Sequence, residues 1–172
     1  MLQPGEFFWR GVARTYLYEL ADQGTDKNAR EQNFGLLRHD MTEKPAFTAL
    51  KNLLSFPREP KGAAYEAKPL DFILAPEPNA KLQPLGQVLL QKREGSYVLI
   101  LWQQVSVYDA AKKTKIDNPR IALTFELAES FDVALHLPHD STTPIKTHKA
   151  TKSFKFEVPD RVLVITLSRP RS

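Results

Sequence analysis

The sequence predicts a mainly β protein: an antiparallel β-sandwich preceded by an incomplete α/β strand-loop-helix segment. Three observations carry this. Residues 70–172 contain a series of short runs in which apolar and polar side chains alternate, the period-2 pattern of strands with one buried and one wet face. Turn residues separate these runs at short, fairly even spacing, as in a sandwich. Residues 1–56 follow another grammar, with one strand-like run, one long polar connection and one amphipathic helix.

Taken in order, Gly5 to Val12 reads as a short helix end. Arg14-Thr15-Tyr16-Leu17-Tyr18-Glu19-Leu20 is rich in β-branched and aromatic residues and predicts a strand. Residues 21–44 are polar, with Asp22, Gly24, Asp26 and Asn28 and a short Phe34-Gly35-Leu36-Leu37 island. Connections of this length are often functional. Pro45 opens a helix, where its missing N–H costs nothing, and Thr42 is the expected cap. Phe47, Leu50, Leu53 and Leu54 then form one apolar helix face. Phe56-Pro57-Arg58-Glu59-Pro60-Lys61-Gly62 reads as a boundary, with residues 57–69 as linker.

Beyond it, Leu70 to Ala75 and Val88 to Gln91 are strand runs. After the turn Lys92–Ser96 comes Tyr97 to Val107, apolar on both faces, as a central, doubly covered strand should be. Ile121 to Leu127, Phe131 to Leu137, Phe154 to Val158 and Val162 to Leu167 complete the set. Trp102, midway along the most apolar run, is expected in the sandwich core or at a domain interface.

Composition narrows the function classes. The 172 residues are 42% hydrophobic and 26% charged, as in globular chains. They suffice for one domain with a real core and fall short of a (β/α)8 barrel, which takes about 250. No run approaches the roughly 18 apolar residues of a membrane span. The first residues lack the pattern of a signal peptide, provided Met1 is a true start. With no cysteine, disulfides and thiol catalysis are excluded. The 24 Lys and Arg against 20 Asp and Glu leave a net charge of +4. Residues 1–56 contribute seven of each sign, so the whole excess lies in residues 57–172, with 17 basic and 13 acidic. Lys146, Lys149, Lys152 and Lys155 recur along the late strands. The excess is too mild to indicate nucleic acid, and such lysines guard a sheet edge. No phosphate-binding glycine loop or nucleophile motif is present. His136 and His139 stand three apart around Pro138, without the third ligand a zinc site needs. His39 and His148 stand alone. No cofactor or metal is expected.

Four stretches in order resemble the C-terminal part of (β/α)8-barrel glycoside hydrolases of the clan-A type. Phe8-Trp9-Arg10-Gly11-Val12-Ala13-Arg14-Thr15-Tyr16-Leu17-Tyr18-Glu19-Leu20-Ala21-Asp22 is similar to the step from the last barrel helix to the last strand. Asn33 to Arg38, and Lys44-Pro45-Ala46-Phe47-Thr48-Ala49-Leu50-Lys51-Asn52-Leu53, resemble the passage past the sugar site into the final barrel helix. Leu89 to Gln103 looks like a strand pair of the sandwich that follows such barrels, and Val158 to Ile165 like its last strand.

The resemblance implies a division into residues 1–56, a remnant of the barrel, 57–69, a linker, and 70–172, the C-terminal sandwich. It also marks a departure, because only the last of the barrel's strands is present. The two catalytic carboxylates of such enzymes lie on the fourth and seventh strands, and hydrolysis usually needs both. The expectation is an upstream truncation, an isolated chain without activity, and no catalytic residue here. In the complete protein Glu19, Tyr18 and Asp22 would face carbohydrate. Glu19 stands near the carboxyl end of a barrel strand, where such sites are built. A structural carboxylate is the alternative for Glu19, a turn residue for Asp22 and Asp26, and core packing for Trp9, Tyr16 and Tyr18. The other function classes are a stand-alone carbohydrate-binding sandwich and an interaction module docking through its barrel-derived face. By the resemblance the complete protein is secreted or periplasmic. Residues 1–20 are expected to pack poorly alone, since a lone barrel strand has two unpaired edges, while the helix docks on the sandwich.

Overall fold

The computed structural model describes residues 10–62 and 64–170. The strands are β1 (Phe72–Pro76), β2 (Leu85–Gln91), β3 (Tyr97–Gln103), β4 (Tyr108–Asp109), β5 (Thr114–Lys115), β6 (Ile121–His136), β7 (Pro144–Val158) and β8 (Leu163–Ser168). Six of them form one antiparallel sheet in the order β1-β6-β8-β3-β2, with β7 on the other side of β6. β4 and β5 make a small separate hairpin. One helix, α1 (Pro45–Ser55), and a 3-10 turn at Arg30–Asn33 precede the strands.

The length of β6 makes the sheet a sandwich. Its first half pairs with β1, Phe72 opposite Leu127 through Pro76 opposite Leu123. Its second half pairs with β8, Asp132 opposite Ser168 through His136 opposite Val164. β7 follows both halves, with register shifts between Glu126 and Phe131 and again before Val133. Such irregularities bend and twist a strand, so the sheet curls and its two halves face each other. The two runs that the sequence presents on either side of Ala128-Glu129-Ser130 are therefore one strand. The polar residues between them belong to the bend.

The core fills the space between the halves. Phe125 lies between Phe72 and Phe154, each ring centroid 5.2 Å away, and Phe131 meets Tyr97 edge-on at 6.1 Å. Leu99, Leu101, Ile121, Val158, Leu163, Ile165 and Leu167 are fully buried around them. Gln103 at the end of β3 donates to the carbonyls of Val158 (2.8 Å) and Pro119 (3.0 Å). That amide ties β3 to β7 where no ladder joins them.

The other face of β3 and β8 is covered too. Val98 and Val164 pack against Phe56, Leu53 and Ile100, and Phe56 lies 4.7 Å from the His136 ring. Asn52 donates to the Pro138 carbonyl at 2.9 Å. So α1 docks on the sandwich through its C-terminal end, and β3 is apolar on both faces because both are covered. Trp102 is buried on this strand, against Gly86, where an added Cβ would stand 2.1 Å from the indole.

Three sequence expectations need correction. Among the described residues Arg14–Leu20 is no strand, and the first β-type pairing is an isolated bridge, Ala21 parallel to Leu37. A β-prone run cannot become a strand without a neighbour to satisfy its peptide groups. Thr42 does not cap α1. Its amide and hydroxyl bond to Asp40 Oδ1, and the N-cap position is Lys44, with no side-chain cap bond. The run read from Tyr97 to Val107 ends as a strand at Gln103. Before the sandwich, Glu59 and Tyr65 contact the end of β2 and the turn to β3. Glu59 accepts from the Arg93 amide at 2.6 Å, the Arg93 guanidinium lies 5.3 Å over the Tyr65 ring, and the Tyr65 hydroxyl donates to the Gln91 carbonyl. The helix end read at Gly5 to Val12 falls largely outside the described residues, as does Trp9.

Candidate functional site

The long connection folds into a compact loop, residues 19–44, organised by one buried carboxylate. Its chain ends are brought together by backbone bonds. Leu36 N–H donates to the Glu19 carbonyl (3.1 Å), Leu37 N–H to Leu20 (2.8 Å) and Asp22 N–H to Leu37 (3.0 Å). Leu37 also bridges antiparallel to Glu43. Phe34-Gly35-Leu36-Leu37 is thus the middle rung of the loop, which explains an apolar island in a polar stretch.

Asp22 sits where these rungs meet. Its Oδ1 accepts from the Gly35 amide at 2.9 Å and from Lys44 Nζ at 2.6 Å. The carboxylate is nearly sequestered, and Lys44 also donates to the Asn33 carbonyl at 3.1 Å. Gly35 must be glycine here, since a Cβ would stand 2.3 Å from the Asp22 nitrogen and 2.4 Å from the Ala21 carbonyl carbon. The second half of the loop has its own ties. Arg38 donates to the Glu43 carbonyl at 2.7 Å, and His39 Nδ1 lies 3.3 Å from the Asp22 carbonyl. The Thr42 bonds to Asp40 hold that carboxyl below the usual carboxylate range.

These ties leave an open cleft of about 370 Å³, lined by Asp22, Gly24, Lys27, Arg38, His39 and Lys44 among others. Its lining residues include side chains of both charges. The Asp22 and Arg38 bonds described above hold its walls.

The three residues singled out from the sequence lie close in the chain but in unlike settings. Tyr18 is 72% exposed, its ring edge-to-face with Phe34 at a centroid separation of 6.5 Å. Glu19 is half-buried, and its Oε1 has no hydrogen-bond partner while shielded from solvent. One side chain joins the two, since Gln23 Nε2 donates to Tyr18 Oη at 2.8 Å and to Glu19 Oε2 at 3.0 Å. Asp22 faces inward, with Oδ1 committed to Lys44 and Gly35. Asp26 makes a local turn, accepting from the Asn28 amide at 2.9 Å.

Sequence reasoning did not single out Lys44 or Gln23. Lys44 stands 22 residues from Asp22, beyond any local periodicity. The available signal was a lysine directly before the helix-opening proline, just after a long loop containing aspartates. Of the histidines, His136 is buried, with Nδ1 2.9 Å from the Thr142 carbonyl, and His139 pairs with Asp140 at 3.1 Å. Among the described residues no three His, Asp or Glu side chains gather as a metal site, and no helix is long and apolar enough to cross a membrane. Lys149 pairs with Asp132 and Lys155 with Glu77, both along the edge strand β7. No protein-family model matches the chain, and no curated protein matches it in sequence.

Proposed function

We propose that this chain is the C-terminal part of a (β/α)8-barrel glycoside hydrolase. Residues 1–56 supply the last barrel strand, loop and helix, and the sandwich is the accessory domain that buttresses the barrel. The isolated chain has no glycosidase activity on this reading, because the acid and the nucleophile or base both belong to earlier strands.

One observation carries the proposal. Val12, Tyr16, Leu17, Tyr18 and Leu20 are between 42% and 84% exposed, directly before a loop that is densely bonded. Tyr16, Leu17 and Tyr18 are consecutive, so an extended segment here is apolar on both faces. Strands of that kind belong to parallel sheets covered on both sides. The missing neighbours are the other strands and helices of the barrel, and the helix that follows already rests on the sandwich. In the assembled protein Tyr18 and Glu19, linked through Gln23, contact the sugar, and the Asp22–Lys44 pair holds the loop that presents them. The substrate class is carbohydrate, and the complete protein is exported.

The test is to read the gene upstream of Met1 and express the whole frame. The expected result is about two hundred further in-frame codons, enough for the rest of a barrel. The whole protein then hydrolyses at least one of a panel of p-nitrophenyl glycosides, on which residues 1–172 alone are inert. A stop codon and ribosome-binding site just before Met1, together with oligosaccharide binding by the chain itself, would replace this reading with a stand-alone binding module.

A further inference from the structure

Of the aromatic ring pairs among the described residues, one has both members exposed. Tyr18 is 72% and Phe34 42% exposed, and their ring planes stand 63° apart. The two rings therefore form an open corner at the surface. The other phenylalanine pairs, such as Phe125 with Phe154, lie in the core.

Both rings are held on the loop. Tyr18 Oη accepts from Gln23 Nε2 at 2.8 Å, and the same nitrogen donates to Glu19 Oε2 at 3.0 Å. Phe34 precedes Gly35, whose amide donates to Asp22 Oδ1 at 2.9 Å, and Leu36, whose amide donates to the Glu19 carbonyl at 3.1 Å. The Arg30 guanidinium lies 6.0 Å from the Phe34 ring centroid, within cation–π range. Rings fixed in advance lose little freedom when a ligand arrives.

The rim carries hydrogen-bonding groups of both kinds. Tyr18 Oη accepts from Gln23, so its own O–H remains a donor. Gln23 has spent both Nε2 protons, and its Oε1 remains an acceptor. The exposed Arg30 adds further N–H donors. An aromatic surface edged by a few donors and acceptors suits a ligand with an apolar face and a polar perimeter.

We propose that Tyr18 and Phe34 form a stacking corner for a pyranose ring with equatorial hydroxyls, as in β-linked glucose or xylose units. The axial C–H groups of such a ring make a flat, weakly positive face that meets the negative face of the Tyr18 ring. Phe34 is a positioning residue that sets the angle of Tyr18. The sugar hydroxyls bond to Gln23 Oε1, the Tyr18 hydroxyl and Arg30. The choice of carbohydrate rests on the glycosidase reading, but the corner uses only residues 18–34 and acts without the barrel.

The test uses residues 1–172, labelled for amide NMR and titrated with cellohexaose, xylohexaose and an inulin-type fructo-oligosaccharide, whose furanose rings lack the flat face. Saturable shifts are expected at Tyr18, Gln23 and Phe34 with the two pyranose oligomers. Tyr18→Ala is expected to abolish them. Phe34→Ala is expected to weaken binding about tenfold, the scale of one aromatic contact, and Phe34→Tyr, which keeps a ring there, to retain the natural affinity. The β3 and β8 amides report that each variant is folded. Absence of saturable shifts with either pyranose oligomer, equal affinity for the furanose oligomer, or an unchanged affinity in Phe34→Ala would overturn the proposal. The glycosidase reading is decided separately, by the upstream gene: a barrel there with no shifts here removes the corner alone, and shifts here with a stop codon there remove the glycosidase reading alone.

Discussion

Phe125 and Asp22 are both buried, and each is the centre of its own region. Around Phe125 the sandwich gathers apolar side chains from β1, β3, β6, β7 and β8 into one cluster. Around Asp22 the loop gathers an ammonium group, backbone amides and carbonyls, and the described part of residues 1–56 buries only Leu37, Ala49 and Phe56 as apolar side chains. The first region is held by non-directional burial, which scales with area and tolerates small shifts. The second is held by directional bonds, which fail one partner at a time. The segment before this loop leaves Tyr16, Leu17 and Tyr18 exposed in a row. In the sandwich the exposed large apolar residues, such as Ile73, Leu82 and Ile145, are scattered singly.

The largest effect that would test this contrast is in the core. Phe125→Ala is expected to cost about 3–5 kcal/mol, as for other buried phenylalanines, and to shift the whole urea transition, because the cluster is shared by both halves of the sheet. Lys44→Met comes next. It strands the Asp22 carboxylate in a protein interior, at about 2–3 kcal/mol, but the loss should be local. Hydrogen exchange should rise across residues 20–44 while β3 and β8 keep their protection. A uniform rise would mean that the loop and the sandwich are one cooperative unit. Phe56→Ala removes the contact of α1 with Val98 and Val164, at about 2 kcal/mol for an interface side chain. Amide protection should fall in α1 first.

Smaller still is a pH effect at the junction of the regions. His136 is buried against Phe56, and burial pushes its pKa below the ordinary 6.5, with the Thr142 carbonyl opposing. The unfolded chain therefore binds more protons between the lowered value and 6.5. This contribution to stability is complete above about pH 6.5 and is lost as pH falls below it. Urea midpoints at pH 7.5 and 5.5 should differ more for the natural chain than for His136→Leu. At the far end of the scale, Tyr16→Ser should leave the isolated chain within about 0.5 kcal/mol of its starting stability, since its ring is 84% exposed. A large destabilisation would mean that the apolar strip is already engaged within this chain.

The comparison also marks what could be read in advance. The apolar residues on both faces of the run from Tyr97 to Val107 foretold a covered central strand, although it ends at Gln103, and Pro45 with Phe47, Leu50, Leu53 and Leu54 foretold the helix, although Leu54 is exposed, because those features depend on neighbours a few residues away. Thr42 misled for the same reason. It stands near a helix start, but Asp40 competes for its hydroxyl and wins. The break at Ala128-Glu129-Ser130 looked like a turn because a bend in one long strand and a turn between two use the same residue types. Of the candidate site, the loop and its aspartates were visible, and the roles of Lys44 and Gly35 were not.

The sequence by itself determined the strand periodicities, the helix and its start, the absence of thiol chemistry and the different grammar of residues 1–56. These follow from side-chain spacing and composition, which act over a few residues. Only the tertiary structure decided that β6 runs unbroken through both halves of the sheet, that Asp22 turns inward to Lys44, and that α1 rests on β3 and β8 through Leu53 and Phe56. Each of those depends on residues far apart in the chain, and distant groups meet only when burial of the shared core has brought them together.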